Sequence, residues 1–139
     1  MAKFVWKNPQ ITVNGQDISN YVHEVSVETS RADVDVTGFQ AANTEHLAGL
    51  GDAQITMTVY QDFGASAIDA LLWPLSTSNT PFTVAVRASV GAKSATNPEF
   101  SMSALLLNYN PISGAVGDAA DTPVTFVNAA QAGLARATS

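Results

Sequence analysis

The sequence predicts a mainly β protein, a sandwich or half-barrel of antiparallel strands with one flanking α-helix. Three observations carry this. Apolar and polar residues alternate in His23–Ser30 and in Gln54–Tyr60, the period of a half-buried strand. Turn signals such as Asn14-Gly15 and Asn110-Pro111 separate the apolar stretches. One segment only, about residues 66–73, carries a helical period.

Residues 1–9 read as an N-terminal arm ending in Asn8-Pro9, with Phe4, Val5 and Trp6 apolar enough to dock. Gln10–Val13 is a short strand, and Asn14-Gly15 is a strong two-residue hairpin signal. The polar segment Asp17–Asn20 favours local turns. In His23–Ser30, Val25 and Val27 point to one face and Glu24, Ser26 and Glu28 to the other. Arg31–Thr37 either continues this strand or begins a loop.

From Gly38 to Asp52 the pattern fails, and the stretch reads as a long loop with a helical turn at Glu45–Ala48. A structureless loop of that length is uncommon in a compact domain and is usually functional. Ala53–Asp62 is the next strand, with Ile55, Met57 and Val59 inward. Ser66 is the expected N-cap of the helix, with Asp69 in its acidic first turn. Ile68, Leu71, Leu72 and Leu75 form one apolar stripe, Trp73 is read as core, and Pro74 is the expected stop. Phe82–Ala88 and Phe100–Asn108 are strands, the second apolar on both faces at Leu105-Leu106-Leu107. Such a run needs cover on both sides. Val124–Val127 is the last strand, and 129–139 is a small, polar C-terminal tail. Without a repeat or a dividing linker, residues 1–139 read as a single domain.

Charged residues make up 13% of the chain, about half the usual share of roughly 25%. Low charge favours a protein that buries surface against copies of itself. The net charge is −6, and the six Lys and Arg are scattered. Tight gripping of nucleic acid needs clustered cations, so that class is set aside. The chain has no cysteine, which excludes disulfide and thiolate chemistry. The N-terminal residues carry no long apolar run and no window suits a membrane span, so a protein assembled in a cytoplasm is expected.

Candidate chemistry is sparse. His23 and His46 lack ligand-spaced partners and read as solvated or hydrogen-bonded structural histidines. Asp33 and Asp35 resemble the start of a calcium loop, but the later ligands are missing. Gly49-Leu-Gly51 lacks the rest of a dinucleotide or phosphate loop. No nucleophile–base–acid set stands out. The expectation is no enzyme, no cofactor and no metal.

The order of elements resembles the tail tube (major tail) proteins of long, non-contractile-tailed bacteriophages. The residues that carry the resemblance are Asn14–Val22, Glu24–Ser30, the loop from Val34–Phe39 to Leu47–Asp52, Gln54–Phe63 leading into Ala67–Trp73, and Asn108–Asp118 with Val124–Phe126. The resemblance implies a structural virion protein whose hexameric rings stack into a tube, the conduit for DNA ejection. It implies a ring-stacking loop, for which Gly38, Phe39, Thr44, Glu45, His46, Leu47 and Leu50 are the candidates. Glu24, Glu28, Asp33 and Asp35 are the candidates for lumen-facing acids that keep double-stranded DNA from sticking. Implied partners are the chain itself and tape-measure, tail-terminator and baseplate proteins, with no membrane. The implied location is the virion tail, assembled in the host cytoplasm. Another virion part (tail terminator, head–tail joining or capsid decoration protein) is the first alternative. A carbohydrate-binding β-sandwich using Trp6 and Trp73 is the second.

Overall fold

The computed structural model describes residues 3–139. Strands β1 (Gln10–Val13) and β2 (Gln16–Asp17) form a hairpin. Its turn residues Asn14 and Gly15 have φ of 52° and 82°. Positive φ at both positions gives the turn whose twist matches the flanking strands, which is why Asn-Gly is there. Two long strands follow, β3 (Val22–Asp35) and β4 (His46–Tyr60), then helix α1 (Ile68–Ser76). The chain continues through β5 (Phe82–Arg87), β6 (Glu99–Tyr109), β7 (Asp121–Asn128) and β8 (Ala135–Ala137).

All eight strands join one antiparallel sheet, in the order β2-β1-β5-β6-β7-β4-β3, with β8 beside β6. The antiparallel β fold with one helix is as expected, and its strands form one continuous sheet. Cross-strand partners share a face, so register sorts the residues. Ile55 opposes Phe126, which opposes Leu106. Ile11 opposes Val86, and Val13 opposes Val84. All seven are buried. One face of the sheet is thus apolar across its width, and α1 lays Ile68, Leu72 and Leu75 on it. Full burial of Leu72 contributes about 1.5–3 kcal/mol. The opposite face is hydroxyl-rich: Ser26 opposes Thr56, which opposes Thr125, and Ala85 lies between Thr12 and Ser101.

The helix departs from the expected 66–73. Ser66 does not cap it; Ser66 has φ 61°, and Ala67 is the N-cap without a side-chain bond. Pro74 does not stop it either, because a proline's fixed φ suits a helix and only one backbone bond is lost. That bond would have gone to the carbonyl of exposed Ala70, which water can serve. Leu75 beyond it still docks in the core. Ser76 Oγ donates to the Trp73 carbonyl at 2.7 Å and Thr77 Oγ1 to that of Pro74 at 3.1 Å, satisfying late carbonyls. Trp73, read as core, is 55% exposed because it lies one residue round from the buried stripe.

Other expectations shift as well. Of the Leu run, only Leu106 is buried; Leu107 is exposed and Leu105 lies on the face away from the core. The C-terminal tail is not all tail, since Ala135–Ala137 pairs with Glu99–Ser101. There β8 takes over the flank of β6 that β7 has left.

Candidate assembly surfaces

The largest correction concerns the expected loop at 38–52. The segment is mostly strand: β4 begins at His46, and no helical turn forms at Glu45–Ala48. Only 36–45 connect β3 to β4. Gly49, in the middle of this stretch, has a packing reason. A Cβ on Gly49 would lie 3.1 Å from Ala32 Cβ and from Val34 Cγ2, so any larger residue there would have to push these side chains back by a few tenths of an ångström. A register shift between Arg31 and Asp33 absorbs one extra residue on β4.

Buried side chains on this hairpin end at Ala53, while pairing runs on to Asp35 and His46. At about 3.3 Å per residue, the hairpin reaches about 20 Å past the core. Its tip is locked by Thr37. The Thr37 hydroxyl donates to Asp35 Oδ1 at 2.6 Å and accepts from the Glu45 amide at 2.8 Å. The Thr37 amide also donates to Asp35, at 2.9 Å, and Val36 N donates to Glu45 O at 2.9 Å. The two bonds from Thr37, hydroxyl first, hold the Asp35 carboxyl below the usual carboxylate range.

Pairing also divides the projecting hairpin into two faces. Ala32, Val34 and Leu47 fall on one side, with Val36 and Glu45 continuing it. Arg31, Asp33, Asp35, Ala48 and His46 fall on the other, where His46 Nδ1 lies 2.6 Å from Asp33 Oδ1. Of the candidate stacking residues, Gly38, Phe39, Thr44 and Glu45 lie in the tip, and His46, Leu47 and Leu50 lie on β4. Phe39, Leu47 and Leu50 are all exposed.

The four candidate lumen acids do not share a face. Glu24 and Glu28 stand with Ser26 on the hydroxyl-rich side, opposite Thr58 and Gln54. Asp33 and Asp35 have the other parity and lie out on the hairpin. Strand alternation sets this: an odd separation within one strand changes face.

Among the described residues β3 is an edge strand of 14 residues, paired with β4 alone. Beside it runs an apolar cleft of about 230 Å³, lined by Val25 and Val27 from β3, Val86 and Phe100 from across the sheet, Ala88, Pro98, and Trp6 from the arm. A neighbouring cleft of about 390 Å³ brings Trp6, Lys7 and Pro9 against Val22–Val25. The arm residues Phe4, Val5 and Trp6 stay exposed beside these clefts.

Polar links elsewhere are structural in geometry. His23 Nε2 lies 3.1 Å from Asp121 Oδ1, with its ring stacked on Tyr60. Gln61 Nε2 donates to Tyr109 Oη at 3.1 Å and to the Pro111 carbonyl at 2.7 Å. Among the described residues, no three His, Asp or Glu side chains gather as metal ligands. Among them too, no helix is long and apolar enough to cross a membrane.

No protein-family model matches the chain, and no curated protein matches it. Solved structures do. A chain from the virion of a native gene transfer agent particle superposes with a TM-score of 0.75 and 13% identity, covering 96% of this chain and 98% of that one. A chain from the tail of an empty gene transfer agent particle, refined with C6 symmetry, gives 0.69 and 13%, over 95% and 94%. A chain from the sheath/tube terminator structure of an extracellular contractile injection system gives 0.73 and 12%, over 98% and 97%. At 12–13% identity, what these chains share with this one is the fold. The likeness reaches contractile systems, so it does not single out non-contractile tails.

Proposed function

We propose that the chain is a tail-tube structural protein whose copies close into sixfold rings, and that these rings stack into a tube conducting double-stranded DNA. The observation that supports this most is the projecting hairpin. It extends about 20 Å beyond the core, carries exposed Val34, Val36 and Leu47 on one face, and holds its tip rigid through Thr37. The domain's own core has no use for such an element; a neighbouring ring does. The C6 symmetry of a tail sharing this fold adds to the reading. In it, Phe39, Leu47 and Leu50 contact the next ring, and the hydroxyl-rich face with Glu24 and Glu28 lines the channel. Tape-measure, terminator and baseplate proteins are the partners at the tube's interior and ends, and the virion tail is the location.

Likeness to a chain from the sheath/tube terminator structure of a contractile injection system favours a second reading, a ring that caps a tube. Negative-stain microscopy of the concentrated protein tests both. Stacked tubes support the first reading, isolated rings support the second, and a strict monomer at about millimolar concentration rejects both.

A further inference from the structure

The arm Lys3-Phe4-Val5-Trp6-Lys7 and the free edge of β3 have matching patterns. In an extended arm, Lys3, Val5 and Lys7 point one way, and Phe4 and Trp6 the other. On β3, Glu24, Ser26 and Glu28 point one way, and Val25 and Val27 the other. The spacing of the lysines equals that of the glutamates. Among the described residues, no salt bridge engages Lys3, Lys7, Glu24 or Glu28. Two of the chain's six Lys and Arg fall within these five residues, so the arm is locally basic on an acidic protein.

We propose that the β3 edge binds the N-terminal arm of a second copy as an added antiparallel strand. Lys3 then faces Glu28 and Lys7 faces Glu24, while Phe4 packs on Val27 and Trp6 on Val25 in the apolar cleft. Main-chain bonds along an open edge supply affinity, and alternate side chains set the register. Opposite charges set across a strand pair add to it. The chain's own arm shows that the cleft accepts the indole, since Trp6 already lines it beside Val25 and Val27. That arm nonetheless makes no backbone hydrogen bond to β3 and leaves Phe4, Val5 and Trp6 between 63% and 75% exposed. It is tied through Pro9 to β1, which carries Ile11 into the far wall of the neighbouring cleft. An arm from another copy is free of that tether. The inference rests on the self-assembly reading only in taking a second copy as partner. It also changes the expected channel: paired lysines neutralise Glu24 and Glu28, leaving a wall of hydroxyls.

The test uses the full chain, which has no native cysteine. Val5→Cys and Ser26→Cys variants, one carrying a size tag, are mixed under mild oxidation. A disulfide-linked heterodimer at concentrations where the wild type associates is expected, and its absence overturns the proposal. Independently, Lys3→Glu/Lys7→Glu and Glu24→Lys/Glu28→Lys variants, folded by circular dichroism, should each associate about tenfold more weakly by sedimentation. An equal mixture should recover wild-type association, because each arm then meets an edge of opposite charge on the other variant. Failure to recover overturns the pairing between copies. Tubes without the cross-link reject this inference alone; the cross-link without tubes rejects the tube reading alone.

Discussion

The Tyr109 hydroxyl donates to Asp69 Oδ1 at 2.5 Å, joining the end of β6 to the first turn of α1. Burial and this bond push the Tyr109 hydroxyl up to about 12. The unfolded value is near 10, so between 10 and 12 the folded state binds the proton that the unfolded state has lost. The stability from this group is therefore whole below pH 10 and drains away as pH rises towards 12. Tyr109→Phe should cost about 1 kcal/mol at neutral pH and flatten the alkaline decline. Urea melts across that range check it; an unchanged alkaline slope would count against the assignment.

Leu72 carries the helix–sheet contact at 0% exposure. Leu72→Ala should destabilise by about 2–5 kcal/mol through lost transfer energy and a residual cavity. Trp73→Ala, next along the chain but exposed, should stay within about 1 kcal/mol. Paired denaturation midpoints report the contrast, and equal losses would contradict the placement of the buried stripe.

Thr37→Val removes the hydroxyl that ties Asp35 to Glu45. Amide exchange at Val36 and Glu45 should speed up several-fold, while the global midpoint moves by less than about 0.5 kcal/mol. Global destabilisation would show that the tip is coupled to the core.

Leu47→Ser with Val34→Ser should leave a folded protein, since both side chains are exposed and lie past the last buried residues of the hairpin. Stacking into tubes should be lost while lateral association persists. Tubes of normal length in the micrograph would reject the stacking role.

Gly15 sits at φ 82° with open space around it. Gly15→Ala therefore tests backbone strain alone and should cost about 1 kcal/mol. A neutral result would mean that the turn changes type.

The legible parts of the sequence were those where one local rule acts without competition. Asn14-Gly15 names its turn, and Val25–Val27 and Ile55–Val59 name their buried face. Pairing that depends on a distant partner was less visible. Nothing near Gly49 announces that Ala32 lies close against it, so a glycine in a tightly paired strand reads locally as a loop glycine. Pro74 and Trp73 misled for a related reason: tertiary docking of Leu75 extends the helix past a local stop, and the angle around the helix decides which large residue is buried. The edge of β3 and its cleft are products of topology, which five arm residues cannot reveal alone.

The sheet order has a consequence during synthesis. Thr56 on β4 pairs with Thr125 on β7, so the strand that covers one flank of the β3–β4 hairpin is made long after it. Non-local pairing of this kind closes slowly, and until β7 arrives the hairpin has two open edges instead of one. Glu24, Glu28, Asp33 and Asp35 lie along it, on both faces. Carboxylates on both faces set like charge against like wherever two such hairpins meet edge to edge, which disfavours pairing of half-made copies before β7 is in place.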